Sequence, residues 1–126
     1  MAKCFHDRVL STCSLCRPER VYRMYQYKSA QRELTFRLTF EEFRKLVNAP
    51  CSYCGETPAM GIDRVDNRIG YLTSNVVAAC VECNFMKRAM LRHKFLYRAQ
   101  KIAKYQSLKT KVEAEVEVEI ARLKAA

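Results

Sequence analysis

The chain has 126 residues and a formal net charge of +10, from 23 Lys and Arg against 13 Asp and Glu. This length gives one domain with at most an appendage, whose small core needs further stabilisation such as a bound metal. The charge favours a polyanionic partner, and the lack of Trp, of a lipidation signal and of a long apolar run argues against a membrane surface.

The N-terminal arm, residues 1–28, begins without the apolar stretch of a secretory signal, so we expect reduced cysteines and a cytoplasmic location. It is rich in zinc ligands: Cys4, His6, Cys13 and Cys16. A Cys3His set is a common structural zinc site, and we predict one here that anchors the arm. The alternative is an exposed thiol and a solvated histidine near a flexible end.

A helix is predicted from Glu19 to Gln31, because Pro18 precedes a run without Gly or Pro. Its Tyr residues are interleaved with Arg, which would suit base stacking, but packing in the core is the preferred interpretation. Residues 34–38 alternate as a short strand. Thr39 and Glu42 form a capping box for a second helix, whose apolar stripe is predicted to be core: Phe40, Phe43, Leu46 and Val47.

Two Cys-x-x-Cys pairs, Cys51 with Cys54 and Cys80 with Cys83, have the spacing of a four-cysteine structural zinc site. The intervening segment is longer than that of a simple zinc ribbon, so we predict a hairpin within it. Its strands are residues 62–66 and 76–79. Free buried cysteines or a redox pair are the weaker alternative.

A long basic helix is predicted to start near Cys80, and between Asn84 and Val112 it has no Gly, Pro or acid. The missing acids favour a cationic stripe that binds phosphates over a merely solvated face. The predicted nucleic-acid-binding residues are Lys87, Arg88, Arg92, Lys94, Arg98 and Lys101. The tail from residue 112 has both strand and helix periodicity; helix is favoured, and its acids can pair with the basic body or with a partner chain, including a second copy.

Residues 29–88 together resemble the HNH, or ββα-metal, nuclease family, in the four-cysteine zinc form often met in phages and mobile elements. The matching pieces are Ser29-Ala-x-Arg32, Phe36-x-Leu-Thr-x-Glu-Glu-Phe43, Pro50-Cys-x-Tyr-Cys-Gly55, Ile62-Asp-Arg-x-Asp-Asn67, Gly70-Tyr71, Asn75-Val-Val77 and Cys80-x-x-Cys-Asn-x-x-Lys87. The resemblance implies an α+β fold: a small zinc-stabilised, treble-clef-like ββα-metal module over residues 29–90. N-terminal helical segments would precede it, and a basic helical extension, residues 91–126, would follow.

The resemblance also implies a catalytic site. Asp63 matches the carboxylate that binds the catalytic ion, Asn75 the asparagine that orients the loop and the base, and Asn84 the second ligand. Their oxygens suit Mg²⁺ or Mn²⁺, while zinc would only hold the frame. Turn and helix capping is the alternative role for Asp63 and Asn84.

One departure concerns the general base, because Arg64 stands where the family has histidine and a guanidinium cannot accept a proton. Asp66 would then supply the base or a metal contact while Arg64 clamps phosphate. The sequence therefore predicts an HNH-like, metal-dependent endonuclease that cleaves or nicks DNA. The alternatives are a non-catalytic zinc-stabilised module that binds DNA or RNA, and a ribonucleoprotein component.

Overall fold

The computed structural model describes residues 2–126 and has an α+β architecture. It divides into two compact units, the first extending to Arg92 and the second from His93 to Ala126. The elements in chain order are α1 (Pro18–Gln31), α2 (Phe40–Asn48), β1 (Ile62–Arg64), β2 (Val76–Ala78), α3 (Val81–Lys87) and α4 (Arg92–Ala125). Short 3₁₀ turns occur at Leu10–Thr12 and Thr73–Asn75. In the described chain, no helix is both long and apolar enough to cross a bilayer.

The structure confirms the two predicted N-terminal helices, which begin where Pro18 and Thr39 predict. Pro18 occupies the first turn of α1, and the Thr39 hydroxyl caps α2 by accepting from the backbone N–H of Glu42 at 3.1 Å. The helices pack over the hairpin around one apolar core: Val21, Leu38, Phe43, Val47, Ile62 and Val76. Tyr22 and Tyr25 pack against this core, which confirms the packing interpretation for these two tyrosines.

The strand predicted over residues 34–38 is absent, and the segment makes only a single parallel bridge, between Phe36 and Tyr71. Two backbone hydrogen bonds form it, from Arg37 N to Tyr71 O at 2.8 Å and from Tyr71 N to Thr35 O at 2.7 Å. The neighbouring Gly70 lies so near that an added Cβ would collide with the carbonyl oxygen of Thr35. An isolated crossing of two chain segments therefore replaces the predicted strand.

The hairpin between the cysteine pairs is confirmed. Strands β1 and β2 are antiparallel, with Asp63 opposite Val77 at the centre. β1 ends at Arg64, two residues earlier than predicted, because the backbone N–H of Asp66 bonds to the Asn75 side chain and not to a strand partner. The chain then enters a loop that returns to β2.

The prediction of one continuous helix from Cys80 is wrong. Helix α3 ends at Lys87, Arg88 has a φ of +50°, and α4 begins at Arg92. A tertiary contact fixes the break, because the Asn67 amide donates to the Arg88 carbonyl oxygen at 3.1 Å. The tail is helical to Ala125, which confirms the helix interpretation there.

Candidate metal centres and catalytic site

The first cluster consists of Cys51, Cys54, Cys80 and Cys83, whose sulfurs all lie within 4.8 Å of one another. Two turns supply them: one follows α2, and the other is the start of α3, where Cys80 is the N-cap. The sulfurs of Cys54 and Cys80 are 3.8 Å apart. A tetrahedral ion with bonds of about 2.3 Å separates its sulfurs by about 3.8 Å, so the group can hold a metal ion.

The second cluster consists of Cys4, His6, Cys13 and Cys16. The Nδ1 atom of His6 is 3.8, 3.6 and 3.4 Å from the sulfurs of Cys4, Cys13 and Cys16. Tetrahedral zinc would place nitrogen and sulfur about 3.6 Å apart. A turn accommodates the short Cys4-x-His6 spacing, with Asp7 N donating to Cys4 O at 3.0 Å. The predicted ligands are thus brought together, and this group also can hold a metal ion.

One thiol in each cluster loses its proton readily. Burial acts to raise the pKa of Cys51, but backbone N–H donors outweigh it and lower this pKa to about 6. The pKa of Cys4 is likewise lowered to about 6, with burial opposed by backbone donors from Arg8 and His6. Since the thiolate is the form that binds metal, both sites have a ligand ready at neutral pH.

Asp63 lies in the middle of β1 and is 5% exposed. Its Oδ2 atom accepts a hydrogen bond from the Tyr53 hydroxyl at 2.7 Å and lies 3.2 Å from Nζ of Lys87. Its Oδ1 atom has no hydrogen-bond partner among residues 2–126. The carboxylate is therefore anchored through its Oδ2 atom.

Lys87 corrects the predicted cationic stripe. Its side chain is fully buried, and its ammonium donates to the carbonyl oxygen of Arg64 at 3.0 Å besides pairing with Asp63. Such a lysine cannot contact a nucleic acid. The seven-residue spacing between Lys87 and Lys94 therefore does not place them on one exposed helix face, because α3 ends at Lys87 and α4 begins at Arg92.

Tyr53 lies within the first cysteine motif and is a residue of the site whose role the sequence did not predict. Burial, followed by its hydrogen bond to Asp63, raises the pKa of Tyr53 well above the usual range. The hydroxyl therefore stays protonated at neutral pH and acts as a donor to the carboxylate. Its position between Cys51 and Cys54 was the only sequence feature that could have indicated a place near the site.

Asn84 lies on α3 beside the hairpin. Its Nδ2 donates to the carbonyl oxygen of Ile62 at 3.3 Å, which joins the amide to the residue preceding Asp63. Its Oδ1 has no hydrogen-bond partner among the described residues. Asn84 on α3 is thus bonded to the strand residue that precedes Asp63.

Arg64 is 5% exposed and is engaged inside the loop. Its guanidinium donates to the carbonyl oxygens of Asn67 and Ile69 at 2.6 and 3.0 Å and lies over the Tyr71 ring. These contacts hold the loop together. They argue against the predicted phosphate clamp, since a buried guanidinium with two carbonyl acceptors is poorly placed to meet substrate.

Asn75 organises the same loop from within. Its side-chain oxygen accepts from Asp66 N at 3.0 Å, and its amide nitrogen donates to the carbonyl oxygens of Asp66 and Gly70, both at 3.0 Å. Asp66 pairs with Arg68 through both oxygens, and these hydrogen bonds lower its pKa to about 2. Asp66 is therefore ionised at neutral pH.

The remaining predicted nucleic-acid-binding residues differ in their surroundings. Arg88 is exposed and stacks over Phe85, and Arg92 lies over the Tyr53 ring. Lys94, Arg98 and Lys101 are exposed on α4, and none has an acidic partner among the described residues. These three side chains remain available to phosphates.

Comparison with known proteins supports the class of fold. No family model matches the chain. It is 38% identical over 87 residues to the uncharacterized protein R423 of Acanthamoeba polyphaga mimivirus, a match that spans 67% of this chain but 16% of that protein. Among solved structures, it is similar to the rare-cutting HNH restriction endonuclease PacI, with a TM-score of 0.58 and 19% identity, covering 87% of this chain and 99% of that one. The chain therefore has an HNH-like fold.

Proposed function

We propose that this chain is a zinc-stabilised, HNH-like endonuclease that nicks or cleaves DNA with Mg²⁺ or Mn²⁺. The observation that carries the proposal is the link between α3 and β1, where Asn84 donates to the carbonyl oxygen of Ile62, the residue next to the buried carboxylate of Asp63. One carboxylate and one amide oxygen fit Mg²⁺, which keeps several waters and takes its remaining ligands from substrate phosphate. When bound, the ion would stabilise the charge that develops on phosphate.

Zinc is the metal we propose for both cysteine clusters, one ion in each. Tetrahedral sulfur and nitrogen ligands select zinc over the harder cations, and closed four-ligand sets are structural. The four-cysteine site fixes α3 against the turn after α2, and so fixes Asn84 relative to the hairpin. The arm site holds residues 4–16 in place.

Asp66 is the residue that we propose as proton acceptor. Arg64 and Tyr53 are excluded by their chemistry, since one cannot lose a proton at neutral pH and the other has a raised pKa. With a pKa of about 2, Asp66 is a weak base, and its ionisation does not change between pH 5 and 8. The rate of nicking should then show no inflection from the base in that range.

A non-catalytic module that binds DNA or RNA is the second candidate, and Lys87 favours it. Its ammonium lies 3.2 Å from Asp63 Oδ2, so a cation of the protein already balances this carboxylate. That charge weakens the attraction of the site for a divalent ion. A module of this kind would bind nucleic acid without cutting it.

Nicking of supercoiled plasmid by zinc-loaded protein, with and without Mg²⁺ or Mn²⁺, separates the two candidates. Asp63→Asn and Asn84→Ala are the informative variants, because asparagine keeps an oxygen that can accept from Tyr53 and Lys87, whereas Asp63→Ala removes both side-chain oxygens. Asn48→Ala, at the exposed end of α2, is the matched control.

We expect metal-dependent nicking by the native chain and by the control. Nicking should fall by at least about 100-fold in both site variants, with zinc content and circular dichroism unchanged. DNA binding without nicking by the native chain would favour the binding module. Weak binding and no nicking would favour a component that needs its assembly partners.

A further inference from the structure

A groove of about 1130 Å³ lies between residues 2–16 of the N-terminal arm and helix α1. Residues 2, 9–11 and 16 form its arm side, and residues 17–20, 23, 24 and 27 form its helix side. It shares no residue with the site around Asp63 and Asn84. Neither the zinc frame nor the proposed hydrolysis gives this groove a role.

The groove is strongly cationic. Arg17, Arg20 and Arg23 line it and are exposed, and none of them pairs with a carboxylate in the described part of the chain. Glu19 is the one acid in the lining. Cations spaced three residues apart on a helix repel one another, so the cluster does not stabilise the helix. An anionic ligand would offset this repulsion.

Tyr27 adds an aromatic surface to the same groove. Unlike Tyr22 and Tyr25, which pack on the core, Tyr27 is 66% exposed. Its hydroxyl accepts a hydrogen bond from Gln31 at 3.1 Å, which fixes the outer edge of the ring. An exposed ring beside guanidinium groups is the combination that binds unpaired bases and their phosphates.

The arm side of the groove depends on the second cysteine cluster. Cys16 is both a member of that cluster and part of the groove lining. The arm is folded on itself by a bridge between Lys3 and Val9 and by the hydrogen bond from Leu10 N to Ala2 O at 3.0 Å. A metal ion held by the cluster would therefore keep the groove in shape.

We propose that this groove binds a single strand of nucleic acid, with Arg17, Arg20 and Arg23 on phosphates and Tyr27 stacked on a base. A duplex fits less well, because its bases are paired and stacked and offer no face to Tyr27. The inference rests on the proposed function for its nucleic-acid partner. It adds a second contact, separate from the cutting site, to an unpaired segment of that partner.

The test is fluorescence anisotropy with a labelled oligothymidylate of about 15 nucleotides and a duplex of the same length. No Mg²⁺ or Mn²⁺ is added, so binding is measured without cutting. The variants are Arg20→Ala with Arg23→Ala, Tyr27→Ala and Tyr27→Phe. Lys28→Ala with Arg32→Ala is the matched control, since it removes two exposed bases at the C-terminal end of α1, outside the groove lining. Zinc content and circular dichroism verify each fold.

We expect the arginine pair to weaken single-strand binding about tenfold and to lower the salt slope by about 1.4, with the control pair changing affinity less than about threefold. Tyr27→Ala should weaken single-strand binding at least about fivefold, while Tyr27→Phe keeps it. Duplex binding should fall less than single-strand binding in each groove variant.

Equal losses for the groove pair and the control pair, or for single strand and duplex, would overturn the proposal. So would unchanged binding in Tyr27→Ala. Groove-dependent binding by a chain that never nicks plasmid would refute the endonuclease and leave the groove standing, so the two failures are distinguishable.

Discussion

Lys87 and Asp63 form an ion pair in the interior of the hairpin and helix, with the two side chains 0% and 5% exposed. The ammonium also donates to the Arg64 carbonyl oxygen, so its charge is shared between two acceptors. Removing one member of such a pair leaves the other charged and buried without compensation. The pair is therefore a structural requirement of the site, besides any part in its chemistry.

We expect Lys87→Met to lower the free energy of unfolding by about 3 to 5 kcal/mol, because Asp63 then loses its buried counter-charge. Urea denaturation followed by circular dichroism measures the change. Lys94→Met, at an exposed position of α4, is the control and should cost less than about 0.5 kcal/mol. Equal, small effects in the two variants would show that the pair does not form in solution.

The sequence could predict which residues belong to the site better than it could predict their burial and their contacts. Cysteine spacing was enough to predict both metal clusters, since each x-x pair fixes its own turn. The resemblance to the HNH family was what predicted Asp63 and Asn84 as ligands of one ion. The burial of Lys87 follows from a helix break that a distant loop imposes, so helical periodicity grouped it wrongly with Lys94.

At the scale of elements, the helices followed from local signals and the irregular segments did not. Pro18 and the Thr39 cap act within one helical turn, so α1 and α2 could be predicted from neighbouring residues. The strand predicted over residues 34–38 failed because its partner is one residue, Tyr71, brought close by a turn far along the chain. Alternation alone does not reveal how many partners a segment will find.

Substitution of Gly70 tests the crossing of the chain at the bridge between Phe36 and Tyr71. We expect Gly70→Ala to lower the free energy of unfolding by about 2 kcal/mol or more, because the added Cβ would collide with the Thr35 carbonyl oxygen and lie 2.9 Å from the Thr35 nitrogen. Gly55→Ala is the comparison, since Gly55 has a φ of +80° but open space around the added carbon. It should cost about 1 kcal/mol, from backbone strain alone. Chemical denaturation gives both values, and a larger loss in Gly55→Ala would contradict this account of the crossing.

For the whole molecule, two ligand clusters that could each hold a metal ion lie in a chain of 126 residues whose core is small. The Ser14 hydroxyl donates to the Met60 carbonyl oxygen at 2.6 Å and ties the arm to the hairpin module. Each cluster thus holds a different part of the first unit. Loss of one ion should leave the part held by the other ion folded.

His6→Ala should lower the zinc content from two ions per chain to one, because it removes a ligand of the arm cluster alone. Elemental analysis of purified protein measures the stoichiometry. The other histidine, His93, is exposed on α4, and His93→Ala should keep both ions. One ion in the native chain, or two in His6→Ala, would contradict a zinc site in the arm.

Charge is unevenly distributed along α4, with seven Lys and Arg before residue 112, four glutamates from Glu113 to Glu119, and Arg122 and Lys124 after them. We expect Lys101→Ala with Lys104→Ala to weaken duplex DNA binding and to lower the salt slope by about 1.8, because two phosphate contacts are lost. Glu115→Gln with Glu117→Gln should leave the slope unchanged or raise affinity slightly. Anisotropy titrations across salt concentrations measure both variants, and an unchanged slope in the lysine pair would exclude this helix from the interface.

The positions of the cluster ligands also set the order in which the protein can be completed during synthesis. All four arm ligands lie within residues 4–16 and emerge from the ribosome before α1 does, whereas the other set stretches from Cys51 to Cys83. Closing the shorter segment costs less entropy, by about 0.6 kcal/mol for each halving of length. We therefore expect the nascent arm to bind its ion and fold first. The hydrogen bond from Ser14 to the Met60 carbonyl oxygen would form later, once the hairpin has emerged.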